Sequence, residues 1–167
     1  MPNWCANKLW ISGAVDSEYI DNILTHIKSE EEDFDFEKVL PYPEEYASRD
    51  REMRELGCVK FREKYGVDAD DGFNSGGYNW CVQNWGTKWN ACDAEVVRNY
   101  PCSVLIGFQT AWSPPIPVIQ KLSELFPGCM FTLQYYECGM AYQGRVKFKE
   151  GEQIVLVEGK YKGSQGG

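Results

Sequence analysis

The sequence predicts an α+β fold in which two strand–helix–strand halves share one antiparallel sheet, with both helices on the same face. Three observations predict it. Asn7 to Gly13 alternates apolar and polar side chains and leads directly into a helical stripe. The same succession returns after Ser103. The chain has 167 residues, 43% hydrophobic and 25% charged, the size and mix of one globular domain.

In the first strand Leu9 and Ile11 share one face, and Lys8, Trp10 and Ser12 the other. Asp16 is placed to cap a helix, with Val15 stapling onto Ile20, and Ile20, Ile23, Leu24 and Ile27 recur at helical spacing. The acidic run Ser29-Glu30-Glu31-Glu32-Asp33 ends that helix in a solvated loop. Phe34 to Leu40 reads as a second strand, stopped by Pro41 and Pro43. Residues 44–97 then read as an insertion between the second and third core strands. Its first part, Glu44 to Tyr65, has helical potential, and Asp68 to Gly77 is loop-like.

Regularity resumes with Val104, Ile106, Phe108, Thr110 and Trp112 on one strand face. Ser113-Pro114-Pro115-Ile116-Pro117 opens a helix with Val118, Ile119, Leu122, Leu125 and Phe126 on its apolar side, closed by Pro127-Gly128. Phe131, Leu133 and Tyr135 face inward on the next strand, and Tyr142 to Lys149 and Gln153 to Glu158 add two more. Without the insertion this order is that of a ferredoxin-like plait, widened or covered at an edge by its C-terminal strands. The domain is expected over 1–162, with a flexible tail at 163–167.

Lys+Arg 17 against Asp+Glu 25 leaves a net charge of −8, so direct nucleic-acid binding over a broad basic surface is not expected. No apolar run reaches the roughly 20 residues that span a bilayer, and Met1-Pro2-Asn3-Trp4 lacks a signal pattern, so a cytoplasmic protein is expected. Seven cysteines, an odd number without a C-x-x-C, read as reduced and mostly buried thiols. No metal or other cofactor is expected: the single His26 lies off its helix stripe, and Asp68-Ala69-Asp70-Asp71-Gly72 sets its Gly one place early for a calcium loop. There is no G-x-S-x-G, phosphate loop or G-x-G-x-x-G, and no catalytic residue is assigned.

Four blocks in order carry a family resemblance: Pro2-Asn3-Trp4-Cys5-Ala6-Asn7 with the Leu9/Ile11 strand and Gly13; Asn84-Trp85-Gly86-Thr87-Lys88-Trp89-Asn90; Thr110-Ala111-Trp112-Ser113-Pro114-Pro115; and Tyr136-Glu137-Cys138-Gly139 with Gly144. From Met1 to about Gly144 the chain resembles the YubB-type family of plasmids, prophages and phages. The resemblance implies a mobile-element setting, hence the host cytoplasm, and a ferredoxin-like domain. It implies no reaction.

Six Trp and ten Tyr make the aromatic content, 14%, the unusual feature of the composition. In the segment Trp80 to Asn90, indoles alternate with Asn, Gln, Thr and Lys88, a pattern that stacks on a planar ligand and bonds its edge. The same Trp80, Trp85 and Trp89 equally suit packing an insertion onto a sheet. Pro114, Pro115 and Pro117 remove helix-start donors, so Trp112 reads as the lid of a packing corner rather than part of a phosphate cradle. Glu137 is in phase with Phe131, Leu133 and Tyr135, so its carboxylate must pair, hydrogen-bond or take up a proton, unless the strand end reaches solvent. Lys88 and Arg145 are the candidate cations, with Arg145 on the opposite face of a regular strand.

The functional expectation is a non-catalytic binding protein of a mobile element, engaging a host or phage protein in a role such as modulating host defence. Its candidate contact residues are Trp10, Trp85, Lys88, Trp89, Asn90, Trp112 and Glu137. One alternative is a small-ligand or nucleotide-binding protein, or an enzyme, with Trp85, Lys88, Trp89, Trp112 and Glu137 around one pocket. Another is an acidic mimic of nucleic acid using Glu30 to Asp35 and Asp68 to Asp71.

Overall fold

The computed structural model describes residues 3–163. The sheet has six antiparallel strands, β1 Trp4–Ser12, β2 Cys92–Tyr100, β3 Ser103–Ala111, β4 Met130–Glu137, β5 Tyr142–Lys149 and β6 Glu152–Lys160, in the spatial order β2-β3-β1-β4-β5-β6. The α-helices among the described residues are α1 Ser17–Ile27, α2 Glu44–Tyr65, α3 Tyr78–Asn84 and α4 Ile116–Leu125. β1-α1-β2 and β3-α4-β4 are the two halves of a ferredoxin-like plait, and β5 and β6 widen its sheet beyond β4.

Alternation decides which side of the sheet is covered. Leu9 and Ile11 of β1, Val104 and Ile106 of β3, Phe131 and Leu133 of β4, and Val146 and Phe148 of β5 are all buried. They meet Ile20, Ile23 and Ile27 of α1 and Val118, Ile119 and Leu122 of α4 in one apolar cluster. Asp16 caps α1 as expected, its side chain accepting the Tyr19 N–H at 2.9 Å. Val15 makes no staple and is 81% exposed, and Leu125 also points outward at the end of α4.

The second strand lies elsewhere than expected. Phe34 to Leu40 forms no strand; Phe36–Lys38 is a single 3-10 turn started by Asp35, whose carboxylate accepts the Glu37 N–H. Phe34 and Phe36 mimic strand alternation because both rings enter the core, 5.1 Å apart and nearly perpendicular. The second plait strand is β2, which falls inside the stretch expected as insertion. The inserted segment therefore joins α1 to β2, over residues 28–91, rather than lying between the second and third strands over 44–97.

Its helical part, α2, breaks at Gly57, where φ is 77° and ψ 156°. Residues Phe73–Gly77 make a π-type turn before α3. Of the expected tail at 163–167, only Gly163 falls within the described residues. No described helix is long and apolar enough to cross a membrane.

Candidate functional site

The segment after α3 delivers the residues singled out in the sequence. Trp85 closes α3 and is buried, its ring 5.9 Å from Phe36, 6.0 Å from Tyr42 and 5.5 Å from Trp80. Its indole N–H donates to the Leu40 carbonyl at 2.8 Å. Trp85 therefore pins the inserted segment to the core. Trp80, half-buried, packs beside it.

Gly86 then reverses the chain with φ 80°, and a Cβ there would come within 2.8 Å of Pro117 Cδ. Both constraints favour glycine. The next bonds clip the segment to the corner between β3 and α4: the Ser113 hydroxyl donates to the Gly86 carbonyl at 2.5 Å, and the buried Thr87 hydroxyl to the Ala111 carbonyl at 2.8 Å. Lys88 and Trp89 thereby emerge beside Trp112.

Trp112 does not continue the inward face of β3. Its φ is 73°, outside the range ordinary strand residues adopt, and the ring turns outward. The backbone is fixed from both sides: the Trp112 N–H donates to the Asn3 carbonyl at 2.9 Å, and the Tyr142 hydroxyl donates to the Trp112 carbonyl at 2.6 Å. Burial pushes the Tyr142 phenol well above its usual range, with Cys5 and Glu137 adding to the shift, so it stays a neutral donor.

An exposed cluster results. Trp4, Trp89 and Trp112 are 41%, 39% and 41% exposed. The Lys88 ammonium sits 4.0 Å from the Trp89 ring centroid and 6.0 Å from that of Trp112, and the Trp4 and Trp89 rings are 6.3 Å apart. A cation over an indole face is attracted by the ring quadrupole, so Lys88 and the indoles hold one another in place. Lys88 belongs to no ion pair among the described residues.

Two hollows flank the cluster. One, of about 200 Å³, has Lys88, Trp89, Trp85 and Asn90 on its wall together with Glu37, Tyr42 and Asp50. Desolvation raises the Glu37 carboxyl, and neighbouring Asp35 raises it further. The other, about 460 Å³, is lined by Trp112, Pro114, Pro117, Tyr135, Met140 and Tyr142. The five residues expected around a single pocket thus divide between two places, and Glu137 lines neither.

Glu137 is buried at 2% exposure and its oxygens accept the N–H groups of Gly139 and Met140, at 2.6 and 2.5 Å. It closes the turn between β4 and β5, and neither Lys88 nor Arg145 forms an ion pair with it among the described residues. Asn90 is also occupied internally: its oxygen accepts the Phe36 and Ala91 N–H groups, and its amide donates to Asp35. Trp10 is half-buried on the same face of β1 as Trp4 but six residues further along the strand, opposite Leu105 and Thr132.

Trp4 is the residue that sequence reasoning missed, although it stands in a quoted motif; only the register placing Trp4 opposite Ala111 brings it to Trp112. The acidic runs are partly spent locally as well. Glu32 accepts the Ala94 N–H, Asp33 pairs with Lys28, and Asp71 accepts from Asn74.

This geometry defines an α+β protein of ferredoxin-like fold with a composite aromatic surface beside the plait. Residues 84–165 match the family model described as "Ferredoxin-like domain in Api92-like protein". A crystal structure of a protein api92 from Yersinia pseudotuberculosis superposes with a TM-score of 0.60, covering 98% of this chain and 99% of that one at 12% identity, a likeness of fold. No curated protein matches in sequence.

Proposed function

We propose that the protein is a non-catalytic binding module that engages a host or phage protein through Trp4, Lys88, Trp89 and Trp112. One observation carries the reading: indoles from three separate parts of the chain, each about two-fifths exposed, gather at one place, with Trp4 6.3 Å from Trp89 and the Lys88 ammonium within 6.0 Å of both Trp89 and Trp112, while hydrogen bonds at Asn3, Thr87 and Trp112 fix the backbone around them. Grouped exposed apolar surface marks interaction sites, and Trp is the residue type most enriched where binding energy concentrates. The mobile-element setting and a role in modulating host defence rest on the resemblance of the Trp4, Trp85–Trp89, Trp112 and Glu137 blocks to YubB-type proteins. The host cytoplasm is then the place of action.

The small-ligand reading draws support from the 200 Å³ hollow, where Trp85, Lys88 and Trp89 meet Glu37 and Asp50. One experiment separates the two. The wild-type chain, a Trp89→Ala/Trp112→Ala double variant and a Trp10→Ala control are compared in stoichiometric capture from host lysate, alongside nucleotide titrations read by Trp fluorescence. The proposal expects one partner retained by wild type and control and weakened some hundredfold or more by the double variant, as two hot-spot losses of about 2 kcal/mol each imply. Equal capture by the double variant refutes it. Saturable nucleotide quenching lost in Trp89→Ala, without any captured partner, favours the pocket.

A further inference from the structure

The net charge of −8 belongs to the whole chain, and the sheet does not share it evenly. Register sets Lys8, Arg145 and Lys147 in phase with Trp10 and Tyr136, on the face turned away from α1 and α4. Lys149 alternates with buried Phe148 and joins them. Arg98 reaches the same face opposite Leu105 of β3, and Lys162 follows β6 beside Gln143. The carboxylates on this face among the described residues are those of Asp93, Glu95 and Glu152. Arg98, Arg145, Lys147 and Lys149 belong to no ion pair among the described residues. A chain that is acidic overall thus turns one cationic side outward.

That side is also hollowed and aromatic. A concavity of about 560 Å³ has Ala6, Lys8, Arg98 and Tyr136 among its walls. A second, of about 440 Å³ over β5 and β6, is bordered by Gln143, Arg145, Lys160 and Lys162. Glu158 also borders it, but its carboxylate accepts the hydroxyl of Tyr135, whose ring lies on the core side. Tyr136 and Gln143 stand opposite one another on β4 and β5, so the two hollows adjoin. At their boundary the half-buried rings of Tyr136 and Tyr161 stack, 5.3 Å apart and 10° from parallel. Trp10 is half-buried on the same face.

We propose that this face binds a single strand of nucleic acid. Its phosphates lie along Arg145, Lys147 and the neighbouring cations, and its unpaired bases stack on Trp10 and on the Tyr136–Tyr161 pair. Charge complementarity calls for a polyanion, and flat rings set among the cations call for one that carries planar groups. A duplex hides its base faces, and an anionic bilayer or an acidic peptide run offers no base to stack.

Fluorescence anisotropy of labelled oligo(dT) and oligo(U), each about twelve nucleotides long, tests this on the intact chain, with circular dichroism confirming that each variant folds. Saturable binding of either strand is expected, its log K falling with log salt at a slope of about −2 to −4, as for three to six neutralised phosphates. Arg145→Glu/Lys147→Glu weakens binding about tenfold or more and flattens that slope by about 1. Trp10→Ala weakens it about tenfold at unchanged slope. Lys60→Glu/Arg62→Glu, the same change of charge on exposed residues of α2, stays within about twofold of wild type. The charge variants decide the matter if Trp10→Ala fails to fold. Absence of binding overturns the proposal, as does an equal loss in the α2 control. Equal competition by duplex DNA, phosphatidylserine vesicles or polyglutamate overturns it too. Trp89 and Trp112 are untouched in every variant, so this reading and the protein-binding one fail separately.

Discussion

Gly144→Ala isolates one contact between two strands. Gly144 lies on β5 opposite Tyr135 of β4, and the Tyr135 ring covers it: an added Cβ would stand 2.4 Å from Cζ and from the hydroxyl oxygen. Ordinary contact needs about 3.5 Å or more, so the ring must retreat by about 1 Å. It has little room to do so, being 1% exposed, and its hydroxyl is committed to Glu158 at 2.8 Å. Overpacking costs about 1–3 kcal/mol, and losing the hydrogen bond to a carboxylate adds about 1.5 kcal/mol or more. The narrower unfolded ensemble of Ala returns about 0.5–1 kcal/mol. The net loss expected is about 2–3 kcal/mol, a fall in melting temperature of roughly 4–12 °C for a chain of this size. Urea unfolding at unchanged m-value measures it. A loss under about 0.5 kcal/mol would show that the ring does not hold this position, refuting the reasoning.

Three further outcomes follow from the site. Trp85→Phe removes the indole N–H from the Leu40 carbonyl and leaves a gap, costing about 1–3 kcal/mol in urea unfolding, whereas Trp89→Phe on the exposed cluster stays within about 0.5 kcal/mol; equal costs would contradict their assigned places. Glu137→Gln replaces a carboxylate that accepts two backbone N–H groups and is expected to cost about 2 kcal/mol, read as a melting temperature lower by roughly 4–8 °C. With a thiol reagent near neutral pH, Cys58, Cys102 and Cys138 react in the fast phase, while buried Cys5, Cys81 and Cys129 wait for unfolding; a fast phase including the buried three contradicts the packing. Burial, the largest cause in each case, pushes Cys5 up to about 11 and Cys81 to about 12 from an ordinary value of 9.0. The stability these protonated thiols contribute is complete below pH 9 and is lost as pH rises through 11–12, so the urea midpoint falls on the alkaline side.

Period was enough to read six elements: β1, α1, β3, α4, β4 and β5 each keep one apolar face against the core, whereas β6 was legible from its apolar run although none of its residues is buried. β2 escaped because its register shifts and the positive φ of Asp93 destroy alternation on an edge that buries little. Phe34 and Phe36 supplied a false alternation in its place, two rings entering the core from a turn. At the site, phase placed the Glu137 side chain inward, but its partners are backbone groups of the following turn, and side-chain pattern does not reveal them. The composition of Trp80 to Asn90 announced both packing and contact. Which indole does which is decided by the reversal at Gly86, which leaves Trp85 inside and sends Trp89 out.

Because Trp4 opens the first strand, Trp89 closes the long excursion between α1 and β2, and Trp112 stands at the β3–α4 corner, the proposed recognition surface is a discontinuous epitope. No short peptide cut from the chain reproduces it, and an unfolded chain offers none of it. A ligand seated there therefore selects the native ensemble by mass action, adding about 2.7 kcal/mol at a hundredfold excess over its dissociation constant. Occupancy is then visible as thermal protection, and release coincides with the melting of the plait.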